Sequence, residues 1–165
     1  MRDAPAVVVS SRGMSRRRRP RTYRLNGVQR SANAVYTLLT RLGLGARYRH
    51  LLTVTGRRSG VARTNPVDVM THDGSRWLVA PYGEVEWVRN LRVAGVGSLR
   101  RGRRTVSFRA REVDASTAVP VIRLYIESVP VTRAYWGVGT DATDEELMDE
   151  SARHPVFRLT PVEAT

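Results

Sequence analysis

Apolar residues recur along the chain with two periods, and the change between them divides it. From 26 to 43, Val28, Ala32, Val35, Leu39 and Leu42 follow one another at steps of four, three, four and three. That spacing lines them up on one helical face, with Arg30, Asn33, Thr37 and Arg41 elsewhere on the wheel. Asn26 with Gln29 resembles a capping box, and Gly43 with Gly45 supplies the stop. From residue 50 the period becomes that of strands. Leu51 to Thr55 and Arg63 to Met70 flank a turn-like stretch, Gly56 to Ala62, and predict a hairpin. Thr71 to Ser75 is a second turn, and Trp77 to Ala80 a third strand.

Pro81-Tyr82-Gly83 then breaks the pattern before a helical stretch, Glu84 to Ala94, with Val85, Val88, Leu91 and Trp87 on its inner side and Gly95 and Gly97 beyond its end. A strand near Ser98 to Arg101, a tight turn at Gly102 and a long strand from Arg103 to Val113 follow. In the last, Val106, Phe108 and Ala110 alternate with Thr105, Ser107, Arg109 and Arg111, so one face is buried and the other wet. Asp114 or Ser116 caps a helix through Val119, Ile122, Leu124, Tyr125 and Ile126, which Pro130 interrupts. Asp141 to Glu150 holds six acids and reads as a solvated helix, and Pro155 to Leu159 as a terminal strand. Five or six antiparallel strands with one inserted helix and flanking helices predict a small barrel in an α+β setting.

The chain has 165 residues and a net charge of +13, and every one of its 28 basic residues is arginine. The length suits one domain. Nine arginines and one acid fall within residues 1–30, so most of the excess sits in a leader, 1–24, without helical or strand period. The domain proper is 25–165: the amphipathic helix over 26–43, a barrel core over 50–113, and a helical, substrate-side region with the last strand over 114–165. Arg16, Arg17, Arg18 and Arg19 superficially resemble a twin-arginine export signal, but Arg21, Tyr23, Arg24, Asn26 and Gln29 follow where an apolar segment is needed. This argues against export and for a cytoplasmic protein, and Met14 is an alternative start. The leader has a bland reading, a solvated extension, and two functional ones, nucleic acid or an anionic membrane surface at about 1 kcal/mol per basic residue. The amphipathic helix after it favours the membrane over nucleic acid, although its apolar stripe equally suits packing on the domain.

There is no cysteine, and His50, His72 and His154 lie more than 20 residues apart, which excludes disulfides, thiolate metal sites and a local His pair, so no metal is expected. No acid/base or nucleophile constellation stands out. Anion-binding equipment does. Thr55-Gly56-Arg57-Arg58-Ser59-Gly60 places two arginines and a hydroxyl on a glycine-flexed hairpin loop, with Arg63 on the return strand. Arginine forks grip phosphate or carboxylate bidentately, although arginines at a hairpin tip are commonly just solvated.

Several ordered motifs now add to that loop. Leu51 to Gly60, Arg63-Thr64-Asn65-Pro66-Val67, Trp87-Val88-Arg89-Asn90-Leu91-Arg92, Gly102, and Arg109 to Val113 resemble the deazaflavin-dependent nitroreductase and quinone reductase family of actinobacteria. The resemblance covers about 48 to 113. It implies a split β-barrel related to flavin reductases, and an enzyme using reduced deazaflavin coenzyme F420 on quinones, nitroaromatics or similar electrophiles. It further implies that Arg57, Arg58 and Ser59 hold the coenzyme phosphate and that Arg63 neutralises its acidic tail. Thr64, Asn65 and Pro66 line the deazaflavin, Ala80, Pro81, Tyr82 and Gly83 border the ring, and Trp87 and Asn90 begin the helix beneath it. Pro81 to Glu86 is shorter than in some members, and Arg58 stands where lysine is common, which keeps the charge but changes the hydrogen-bond geometry.

Tyrosines near the C-terminus orient substrate in that family. Tyr125 and Tyr135 are the matching aromatics here, Tyr125 equally suiting the inner face of its helix, while Tyr135-Trp136 beside Gly137 and Gly139 reads as a mobile lid. A homodimer stays open. The alternatives are a split barrel holding FMN or haem, and a basic anion-binding module without catalysis.

Overall fold

The computed structural model describes residues 46–162. The arginine-rich leader and the amphipathic helix expected over 26–43 lie outside those residues. Six strands are present among them: β1 (Arg49–Thr55), β2 (Ala62–His72), β3 (Ser75–Val79), β4 (Val96–Arg101), β5 (Arg104–Glu112) and β6 (Val156–Pro161). They close into a barrel in the order β1-β2-β3-β6-β5-β4, every neighbouring pair antiparallel. The predicted hairpins β1–β2, β2–β3 and β4–β5 are all there, and β6 fits between β3 and β5.

Alternation along the strands gives the barrel two apolar faces rather than one. Leu52 and Val54 of β1, Val67 and Val69 of β2, Leu78 of β3, Leu99, Phe108, Phe157 and Leu159 fill the interior, where α1 (Glu86–Ala94) adds Trp87, Val88 and Leu91. The alternate residues Met70, Trp77 and Val79 face outward into a second core with α2 (Ala115–Ser128) and α3 (Asp144–Ser151). This outer layer is what makes a cleft beside β2.

Helix boundaries follow local chemistry. Of the two expected caps, Asp114 holds α2: its side chain accepts from Thr117 N–H at 2.9 Å and from Ser116 Oγ at 2.7 Å, so Ser116 supports the cap rather than being it. Those bonds bring the Asp114 carboxyl down to about 2. Gly95, at φ 63°, ends α1 in the left-handed conformation that favours glycine. After Pro130 the chain does not break but tightens into a 3-10 helix, Pro130–Tyr135. The acidic segment is a helix from Asp144, opened by a capping box between Thr143 and Glu146. It is not solvated all round, because Leu147 and Glu150 are buried.

Candidate functional site

The hairpin between β1 and β2 is folded tightly on itself. Gly56 N–H donates to Val61 O at 2.8 Å and Gly60 N–H to Gly56 O at 2.9 Å. A Cβ on Gly56 would lie 3.0 Å from Ser59 Oγ and 3.1 Å from Val61 O, so the loop closes only around a residue with no side chain. Arg58, Ser59, Arg63 and Thr64 are exposed on it. Arg57 is different: its Nη1 donates to Asn90 Oδ1 at 2.9 Å and to Glu86 Oε2 at 2.8 Å, and its backbone N–H donates to Asn90 Oδ1 at 3.2 Å. Asn90 is 5% exposed, so Arg57 straps the hairpin tip to α1. That strap also uses two residues, Asn90 and Glu86, that approach the loop from 33 and 29 positions away.

A cavity of about 290 Å³ opens along β2. Asn65, Pro66, Pro81, Tyr82 and Trp87, all singled out in the sequence, line it, as do Tyr125 and the ion pair Arg49–Asp68. Ala80 and Gly83 do not line it but shape its wall. Gly83 has φ 76°, and a Cβ there would meet Arg153 O at 3.1 Å. Ala80 O accepts from His154 Nδ1 at 3.2 Å, and the Ala80 N–H donates to Pro155 O at 3.0 Å.

Tyr125 takes the inner face of its helix and also reaches the cavity. Its ring is buried in the outer core, and its hydroxyl reaches the cavity floor, donating to Asp68 Oδ2 at 3.3 Å. Burial first, and the Asp68 charge second, push its phenol well above the usual value. Tyr135 does not line the cavity. Its ring stands edge-on to Tyr82 with centroids 4.8 Å apart, and so buttresses one wall. Trp136 is fully buried, packed 4.1 Å from the His154 ring and 5.9 Å from that of Tyr125, so the expected mobile lid is a fixed wedge.

Sequence reasoning missed four side chains here. Asp68 interrupts an apolar strand, and its alternation with Pro66 and Met70 on the outer face was the signal that could have found it. Arg49 sits opposite it in register. Glu150 and His154, spaced i to i+4, form a buried pair at 3.2 Å although the histidines had no evident partners in the sequence. Because Ala80 O can only accept, His154 Nδ1 is the donor in that bond, and Nε2 faces Glu150 Oε2. Burial pushes the Glu150 carboxyl up, but His154, the Gly137 N–H at 3.2 Å and the Arg153 charge together hold it below its usual value.

Among the described residues no helix is long and apolar enough to cross a membrane, and no group of three metal-ligating side chains converges. No curated protein matches the sequence. Solved structures do. One described as an F420-H2 dependent reductase (FDR-A) is 24% identical, with a TM-score of 0.51 over 69% of this chain and 95% of its own. A second, described as a domain-swapped dimer, is 21% identical with a TM-score of 0.53 over 81% and 96%. HutZ, a haem storage protein from Vibrio cholerae, is 14% identical with a TM-score of 0.50 over 72% and 84%. At these identities the likeness shows the fold alone, a split barrel. Residues 17–143, by contrast, match a sequence family as a whole, and on that match the chain belongs to the F420H(2)-dependent quinone reductase family, F420-dependent oxidoreductases.

Proposed function

We propose that the protein transfers a hydride from reduced coenzyme F420 to a quinone, nitroaromatic or similarly electrophilic acceptor in the cavity along β2. The observation that carries this reading is the order of features along β2: an arginine hairpin leads into the strand, and a cavity lined from Asn65 to Asp68 follows, with the Tyr125 hydroxyl on its wall.

The donor set fits a phosphorylated, acidic coenzyme. Arg58, Ser59 and Arg63 would hold its phosphate and tail, with Arg57 fixed against Asn90 so that the loop is arranged beforehand. Thr64, Asn65, Pro66, Pro81, Tyr82 and Trp87 would border the flat ring, Ala80 and Gly83 shaping the loop behind them. When bound, the deazaflavin supplies the hydride, and the protein supplies position and electrostatics. Pro66, Val79, Val85 and Trp87 make the walls apolar and keep water from the reacting centre. Tyr125 keeps its proton throughout the physiological range, and turning its one O–H away from Asp68 would present it at Oη to an acceptor oxygen.

A fluorescence titration with oxidised F420 tests the reading first. Folded protein that fails to bind on the order of tens of micromolar coenzyme would refute it. Anaerobic turnover with menadione and with a nitroaromatic, followed by coenzyme absorbance, then tests the acceptor class. The arginines of 1–30 support a peripheral position on an anionic surface, where lipophilic quinones reside. Co-sedimentation with anionic vesicles, lost on deleting 1–24, checks that part.

A further inference from the structure

Asp68 stands in a run of β2 that is otherwise apolar, between Val67 and Val69. Alternation turns it to the outer face of the barrel, under α2, and its carboxylate lines the cavity. Oδ1 accepts from Arg49 Nε at 3.1 Å and Oδ2 from the Tyr125 hydroxyl at 3.3 Å. A carboxylate has about four acceptor positions, and these contacts use two. Its side chain is only 10% exposed, so that exposure is to the cavity it lines rather than to an open surface. Arg49, its register partner on β1, lines the same cavity. The floor therefore presents an acceptor and a guanidinium donor side by side.

This pairing selects among ligand chemistries. At this pair of side chains a quinone, nitro, phosphate or carboxylate group offers only acceptors, so it would answer Arg49 and leave Asp68 without a donor. The complementary group carries an N–H next to a carbonyl, as an amide or lactam does, and in a pyrimidinedione ring that edge is the imide N–H between its two carbonyls. We propose that Asp68, with Arg49 beside it, recognises the imide edge of the coenzyme's pyrimidinedione ring, Asp68 accepting from the ring N–H and Arg49 donating to the adjacent carbonyl. The assignment rests on the reading of this cavity as the deazaflavin site. Placement along the strand agrees with it: from Arg63 to Asp68 is five residues of β2, about 16 Å at the usual strand rise. Phosphate grip and imide reader thus stand at the start and the middle of one strand, and together fix which way round the ring lies.

Binding, rather than turnover, decides the matter. Wild type, Asp68→Ala and Asp68→Asn are titrated with F420 by fluorescence. In a second arm 5-deazaflavin mononucleotide and its N3-methyl derivative compete with F420 for the wild-type protein. Asp68→Ala is expected to weaken F420 roughly tenfold or more, Asp68→Asn less because it keeps an acceptor oxygen, and the N3-methyl competitor to be roughly tenfold poorer than its parent. An N3-methyl competitor as good as its parent overturns the assignment while leaving the coenzyme site standing. This arm needs no variant, so it decides where Asp68→Ala does not fold; a folded Asp68→Ala that binds F420 as wild type does overturns the assignment as well. No F420 binding by folded wild type would instead remove the coenzyme reading, and the imide assignment with it.

Discussion

Replacing Asn90 with alanine tests whether the hairpin is held in place before any ligand arrives. The change removes the acceptor for two bonds, from the Arg57 backbone N–H at 3.2 Å and from its guanidinium at 2.9 Å. A neutral bond contributes about 0.5–1.5 kcal/mol and a charge-assisted one about 1.5–3, so the loss is about 2–4 kcal/mol. Arg57→Ala loses only the guanidinium bond, about 1.5–3 kcal/mol, because its backbone N–H stays on Asn90. Glu86 accepts from the same Nη1, yet its side chain is 71% exposed, so solvent screens the contact and Glu86→Ala should change stability by no measurable amount.

The assay is urea unfolding of the four proteins of the Arg57/Asn90 double-mutant cycle without coenzyme, with Glu86→Ala beside them. Constant m values would confirm two-state comparison. A coupling energy of about 1–2 kcal/mol between Arg57 and Asn90 is expected, because both single changes remove the same charge-assisted bond. Thermal midpoints should fall by about 2–4 °C for each kcal/mol. A loss below about 0.5 kcal/mol for Asn90→Ala, or a larger effect for Glu86→Ala, would refute the ranking of the buried amide over the exposed carboxylate.

Other expectations follow from the same site. Tyr125→Phe keeps the ring packing and deletes a charge-assisted bond to Asp68, so stability should drop by about 1.5–3 kcal/mol while KM for the acceptor rises; an unchanged KM would take Tyr125 out of substrate orientation. Gly83→Ala meets both a φ of 76° and a carbonyl 3.1 Å from its Cβ, and should cost about 1–3 kcal/mol and weaken coenzyme binding through the Pro81-Tyr82 wall, as unfolding and titration would show. Glu150 has a folded pKa below its unfolded value of 4.5, so its contribution is present above that pH and lost as pH falls through the folded value. His50 is depressed below 6.5, chiefly by burial, and therefore adds a decline that begins as pH falls below 6.5. Glu150→Gln should flatten the more acid limb and leave the His50 limb, as stability measured against pH would reveal.

How much of this could be read from the sequence depended on whether the determining contact was local. Val106, Phe108 and Ala110 declared the inner face of β5 by alternation alone, and Asp114 declared a helix start. Hairpins β1–β2 and β2–β3 followed from their turns. Placing β6 between β3 and β5 needed pairings between residues about 80 and 50 positions apart, which no local pattern encodes. The same holds at the site. Asn65, Pro66 and Trp87, which the family resemblance implied, line the cavity, whereas the Arg57–Asn90 strap and the Asp68–Tyr125 bond join segments 33 and 57 residues apart. Trp136 was misread for a physical reason: neighbouring glycines suggest freedom, but a large ring between His154 and Tyr125 removes it.

The late position of β6 also sets a clock. Between the end of β5 at Glu112 and the end of β6 at Pro161 the ribosome must add about 50 residues, roughly 3–10 s at usual translation rates. Throughout that interval β3 and β5 each keep an unpaired edge, so the nascent barrel is an open sheet with two sticky margins. Slow translation after Glu112 lengthens that exposure, whereas slow translation before Arg104 does not. The choice of codons over 113–155 thus bears on yield without altering a single contact in the finished protein.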